Sequence, residues 1–165
     1  MAVNSGLELQ IVPAKILRQK CRKISAITPE IIDLAGRMGL AMNEFKGVGL
    51  AAPQIDQAIR LIVVTDSKKG FIPMINPVIT FSSKEKVASE EGCLSIPNVF
   101  GIVKRAAKVR YSYQDLTGKV IKAKAKGLQS IIIQHECDHI DGLLFIDKAT
   151  NIVQGSQDLA KMQQI

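Results

Sequence analysis

The stretch from Leu128 to Ile140, LQSIIIQHECDHI, leaves this chain few ways to fold. It reads as a helix, and Gly142 is a natural stop just beyond it. Leu128, Ile131, Ile132, His135 and His139 share one side, while Ile133 and Ile140 lie elsewhere, so the helix is apolar nearly all round. Such a helix belongs in the interior, with the rest of the chain wrapped about it. It nevertheless carries the only two histidines of the chain, within Gln134-His135-Glu136-Cys137-Asp138-His139. This is an H-E-x-x-H pattern. Helix positions four apart lie on one face, so both imidazoles can reach one metal ion. Glu136 projects from nearly the same face and can act on a water held at that ion. Two accidental histidines would suit a solvated helix; a buried one favours a protected metal site.

The remaining composition narrows the setting. A chain of 165 residues, 47% hydrophobic, fits one compact domain with a sizeable core and argues against disorder. Aromatics are 4% and Trp is absent, so that core is built from Ile, Val, Leu and Ala. No apolar run is long enough to span a membrane as a helix. The first residues, MAVNSGLELQIVP, resemble neither a secretion signal nor an import peptide, so a cytoplasmic location is expected, or an organelle if a transit peptide has been removed. Cys21, Cys93 and Cys137 are odd in number and widely spaced, which suits free thiols in a reducing compartment. The net charge of +7 reads as a solvated basic surface, with no specific nucleic-acid motif beside it.

Residues 28–45 read as another helix, with Thr28 at the N-cap and Pro29 at the first helical position. Ile31, Leu34, Ala35, Met38, Ala41, Met42 and Phe45 recur at helical spacing as its core face. Leu61-Ile62-Val63-Val64 reads as a buried strand. Residues 73–79 read as a strand or strand pair interrupted by Pro77, with a turn over residues 66–70. Residues 108–126 form a hairpin about Asp115-Leu116-Thr117-Gly118. Val109, Tyr111 and Tyr113, then Ile121, Ala123 and Ala125, are its apolar face, and its lysine row reads as a solvated, edge-protecting face. The last residues, 150–165, read as a short helix or a polar tail.

Two imidazoles do not complete a catalytic metal site, which usually has three protein ligands. Beyond His139 only Asp141, Asp147 and Asp158 are anionic. Cys137 lies about 200° round the helix from either histidine and reads as a packing thiol. Cys21 sits in a basic stretch with no second ligand nearby. Cys93 follows a glycine that permits close backbone approach. On these grounds alone the third ligand stays open between Cys93 and the downstream carboxylates.

Gly47-Val48-Gly49-Leu50-Ala51-Ala52-Pro53-Gln54, then Glu91-Gly92-Cys93-Leu94-Ser95, then Gln134 to His139 resemble, in order and separation, the three motifs of peptide deformylases. The resemblance runs from about residue 7 to 148. It implies an α+β fold with antiparallel sheets packed around a central buried H-E-x-x-H helix, in one catalytic domain over 1–165. It implies that Cys93, His135 and His139 hold a divalent metal with water as fourth ligand. The expected metal is ferrous iron, with zinc, nickel or cobalt able to substitute; ligand chemistry alone suits zinc equally. The implied reaction removes the formyl group from the N-terminal formyl-methionine of new polypeptides. Glu136 would move the water's proton to the departing amine. The side-chain amide of Gln54 and the backbone N–H of Leu94 would stabilise the oxyanion. Gly49 would give room and a hydrogen bond to the substrate backbone, and Val48, Leu128, Ile131 and Ile132 would line the methionine pocket. Phe100 stands where many members carry Arg. The partners expected are formyl-methionyl nascent peptides and a transient ribosome contact, with no membrane and no specific nucleic acid, the protein being a monomer. Some relatives dock through a longer C-terminal helix, a contact not carried over to this short tail. Two other classes compete: a metallopeptidase cutting internal bonds, which would not need the Cys93 motif, and a catalytically silent relative, which would have lost Glu136, Gln54 or a ligand.

Overall fold

The computed structural model describes residues 4–164; residues 1–3 and 165, the outermost positions of the expected domain, lie outside it. Helix α1 spans Pro29–Glu44 and strand β1 Gly49–Ala51. There follow β2 (Leu61–Asp66), β3 (Gly70–Ser82), β4 (Lys86–Cys93), β5 (Ile96–Ala106), β6 (Lys108–Gln114) and β7 (Val120–Lys126). Then come α2 (Leu128–Ile140), β8 (Ala149–Gln154) and α3 (Ser156–Gln163). A five-stranded sheet runs in the order β1-β2-β3-β6-β7, and a three-stranded sheet in the order β4-β5-β8. Every pairing between these strands is antiparallel.

The continuous apolar run of β2 has a direct cause. Ile62 and Val64 face α2, joined by Met74, Val109, Tyr111, Ala125, Ile132, Ile133 and Ile140. Leu61 and Val63 face α1, with Met38, Met42, Leu50 and Ile75. A strand covered on both faces has no solvent side, so its residues do not alternate. A third core joins β5, through Ile96, Val99 and Val103, to Leu144 and Phe145.

Both expected helices and the hairpin form with nearly the expected limits. Thr28 occupies the N-cap of α1 without a capping side-chain bond, and Pro29 opens the helix. Gly142 lies beyond α2 at φ +77°, where a Cβ would meet the Arg18 carbonyl. Three details differ from the sequence reading. The strand expected at 73–79 is one long strand, Gly70–Ser82, in which Pro77 is absorbed by an irregular register between Ile75 and Val78. The tail is not simply a helix: Ala149–Gln154 pairs with β5 before α3 begins. Leu128, placed with the buried side of α2, is 67% exposed.

Candidate metal centre

The site forms where α2 passes between the two sheets. Its helix is pinned to the end of β5: the Gln134 carboxamide accepts from the Ala106 N–H (3.0 Å) and donates to the Ala106 carbonyl (3.0 Å), to which Ser130 Oγ also donates (2.9 Å). This register turns His135 and His139 toward the last residue of β4, Cys93. His139 Nε2 lies 3.3 Å from Cys93 Sγ and 3.2 Å from His135 Nε2. The three donor atoms all lie within 4.8 Å of one another. Phe145 stacks against His135 with ring centroids 6.4 Å apart.

The surroundings suit a cation. His135 Nδ1 is 2.9 Å from Glu91 Oε2. A proton on Nδ1 directed at that carboxylate leaves the Nε2 lone pair facing His139 and Cys93, the tautomer a metal needs. Burial opposes charge on His135, but hydrogen bonds with Cys93 and Glu91 outweigh it and hold the imidazole well above its usual pKa. His139 is driven well below its usual value, first by burial and then by the charges of His135 and Arg105. Two imidazoles this close and this buried cannot both be protonated, whereas both can donate electron pairs to one ion. His139 Nδ1 and Glu136 Oε2 are buried with no hydrogen-bond partner among the described residues.

Glu136 is 4% exposed. Burial raises its carboxyl to about 7, opposed by the neighbouring His135 and reinforced by Glu91. Its carboxylate lies against Gly49, where even a Cβ would overlap it. Gln54 is fixed from one end: its Oε1 accepts from the Ala51 N–H (2.9 Å), which directs Nε2 to Ser95 Oγ (3.1 Å) and Cys93 Sγ (3.6 Å). These groups line a cleft of about 480 Å³ with Leu94, Ile131, Ile132, Val48, Leu128 and Phe100, a volume typical of ligand sites. Val48 (51% exposed) and Leu128 stand on its rim rather than in the core, while Ile132 is buried. Phe100 packs so closely on Gly92 that a Cβ there would reach 2.7 Å from its ring.

The structure separates the competing ligand candidates. Asp141 pairs with Arg60 (2.6 Å), Asp147 with Arg18 (2.5 Å), and Asp158 lies on α3, 4.0 Å from Lys161. None of them belongs to the cluster of donor atoms. Cys21 and Cys137 are buried in the core between α2 and the large sheet, where burial lifts their thiols to about 11 and about 12.

Residues not singled out from the sequence complete the surroundings. Arg105 is buried and donates to both Glu91 oxygens (2.7 and 2.8 Å) and to Asp138 (2.5 Å), which also pairs with Lys148 (2.6 Å). Burial alone would raise Glu91, but its bonds with Arg105 and His135 win and bring it down to about 2. Ser95 holds the Gln54 amide. Only the position of Glu91 next to Gly92-Cys93 hinted at such a role; nothing in the sequence marks Arg105.

Comparisons with known proteins bear on the family and the fold. The family described as Polypeptide deformylase matches residues 7–154. The peptide deformylase of Pelotomaculum thermopropionicum is 46% identical over 152 residues, covering 92% of this chain and 95% of that protein. The crystal structure of a peptide deformylase from Synechococcus elongatus in complex with actinonin superposes with TM-score 0.86 at 34% identity, over 99% of this chain and 87% of that one. A class I type b peptide deformylase from Acinetobacter baumannii, with Met-Ala-Ser bound, gives TM-score 0.82 at 33% identity, over 90% and 99%.

Proposed function

The chain belongs to the polypeptide deformylase family, metal-dependent hydrolases that remove the N-formyl group from new polypeptides, and from that premise we propose that Cys93, His135 and His139 hold the metal and Glu136 moves the proton. The observation that carries this reading is the convergence of one thiol and two imidazoles within 4.8 Å at the end of a cleft that also contains an unpartnered carboxylate. When bound, a divalent ion supplies Lewis acidity, making water more acidic and a carbonyl carbon more electrophilic. Ferrous iron is the metal proposed; zinc, nickel and cobalt suit the same donors.

The remaining steps fall to this chain's residues. Glu136 accepts a proton from the attacking water and returns it to the departing methionine amine. A cation held by Cys93, His135 and His139 would favour the Glu136 carboxylate, the form that accepts. The Gln54 Nε2 amide and the Leu94 backbone N–H donate to the oxyanion of the tetrahedral intermediate. Because Gln54 is anchored through Oε1, its donor needs little reorganisation. Gly49 lies on β1, an edge strand of the five-stranded sheet, so its free side can pair with an extended peptide. The absence of a Cβ there keeps the scissile amide close to Glu136. Val48, Leu128, Ile131 and Ile132 receive the methionine side chain, in keeping with the Met-Ala-Ser bound to the Acinetobacter protein.

Of the three cores, only the one beneath the five-stranded sheet contains residues of α2, Ile132, Ile133 and Ile140 among them. The same reading extends to one catalytic domain over 1–165, acting as a monomer in the cytoplasm with transient contact to the ribosome. Turnover of a formyl-Met peptide, compared with an unformylated peptide and combined with metal analysis, tests the proposal. Release of formate with no internal cleavage supports it; internal cleavage, or no turnover by metal-loaded protein, overturns it.

A further inference from the structure

The outer face of the β6–β7 hairpin concentrates charge of one sign. Lys108, Arg110, Lys122, Lys124 and Lys126 all point to solvent there. Lys108 stands directly opposite Lys126, and Arg110 opposite Lys124. None of these five cations lies within 4.0 Å of a carboxylate among the described residues. Neither strand contains an acidic residue; Glu85 and Asp115 flank the face only at its ends. On the adjoining strand Phe81, 49% exposed, is paired with Arg110, whose guanidinium lies 5.1 Å from its ring centre.

Edge protection does not account for this arrangement. Lysines on β7, the edge strand, would be enough to discourage pairing with another sheet. Lys108 and Arg110 are on β6, an interior strand, and like charges directly opposite each other destabilise a sheet. The face is also bare for a topological reason. Helix α1 covers β1, β2 and the start of β3, and no residue of β6 or β7 belongs to that core. The opposite side of the hairpin packs on α2, so a partner on the outer face leaves the cleft open.

We propose that this face docks on the phosphate backbone of folded RNA, without reading its sequence. Its cations form a grid repeating about every 6.8 Å along the strands and about 4.8 Å across them, with an aromatic ring beside it, a pattern suited to a row of phosphates. RNA is preferred over other polyanions on the strength of the deformylase reading, because new polypeptides emerge from an RNA-rich particle.

The test is the binding of a labelled RNA hairpin by fluorescence anisotropy across a salt series. If all five cations engage phosphates, the log–log salt slope is about −4. A triple variant, Arg110→Gln, Lys122→Gln and Lys124→Gln, should weaken binding at least about tenfold and make the slope shallower by about 2 to 3. Its turnover of a formyl-Met peptide should not change, and its Tm should be equal or higher. A control with the same charge change, Lys20→Gln, Lys23→Gln and Lys68→Gln, should bind nearly as the parent does. Equal loss in both variants would reduce the effect to net charge and overturn the proposal. So would tighter binding to phosphatidylglycerol vesicles than to RNA, or no RNA binding by the parent at low salt. Binding is read without turnover, so failure here leaves the deformylase reading untouched, and the reverse also holds.

Discussion

The Glu91 carboxylate accepts from Arg105 through both oxygens and from His135 through one, so a single buried side chain fixes an imidazole and neutralises a guanidinium. Glu91→Ala removes one partner of a buried ion pair, a change that typically costs about 3–5 kcal/mol. It also frees the His135 ring, and loss of such a support lowers metal affinity by about 10–100-fold. Chemical denaturation and competition with a chelator measure the two effects, and Glu91→Gln should lose less of both. Glu136 is expected to behave differently, since it is placed beside the donors without being one of them. Glu136→Gln should lower turnover by at least about 10²–10⁴-fold with metal content near stoichiometric, whereas His135→Ala should lose both. Normal turnover by Glu136→Gln would defeat the assigned proton path even if the ligands were right.

Each element of α2 has its own demands. Ile133 is fully buried at the centre of the core beneath the large sheet, so Ile133→Ala should destabilise by about 2–5 kcal/mol. Leu128→Ala, on the cleft rim, should change stability by less than about 0.5 kcal/mol yet raise KM for formyl-Met peptides. Thermal unfolding and steady-state kinetics separate the two. The contrast also shows what a sequence can reveal. Helices α1 and α2, strand β2 and the β6–β7 hairpin were legible because each buries a periodic or continuous apolar face against one neighbour. Strands β4 and β8 were not. The first, KVASEEGC, places serine and glutamate toward the cleft, and the second turns only Ala149 and Ile152 to the third core. His135, Glu136 and His139 were legible because one helix turn brings them together. Cys93 and Gln54 come from distant segments: the glycine before Cys93 made it one open candidate, but only the motif resemblance singled it out and pointed to Gln54 at all. The Arg105–Glu91–Asp138 network was hidden because its partners come from three elements, β5, β4 and α2.

At the scale of the whole molecule, the donors of the site come from two bodies: Cys93 from the three-stranded sheet, and His135 and His139 from the helix that packs on the five-stranded one. An ion bound by all three links them. Removing it should lower Tm, since a ligand present at 100 times its Kd stabilises by about 2.7 kcal/mol. Hydrogen exchange should quicken first in β4 and the turn after it, while β2 keeps its protection. Unchanged Tm and exchange after chelation would show that the sheets hold together without that link. The scarcity of histidine has a practical side as well. Both imidazoles of the chain are at the site and none is elsewhere. Every imidazole resonance in a nuclear magnetic resonance spectrum therefore reports on the centre itself, and the protein carries its own spectroscopic probe of occupancy and tautomer without any label.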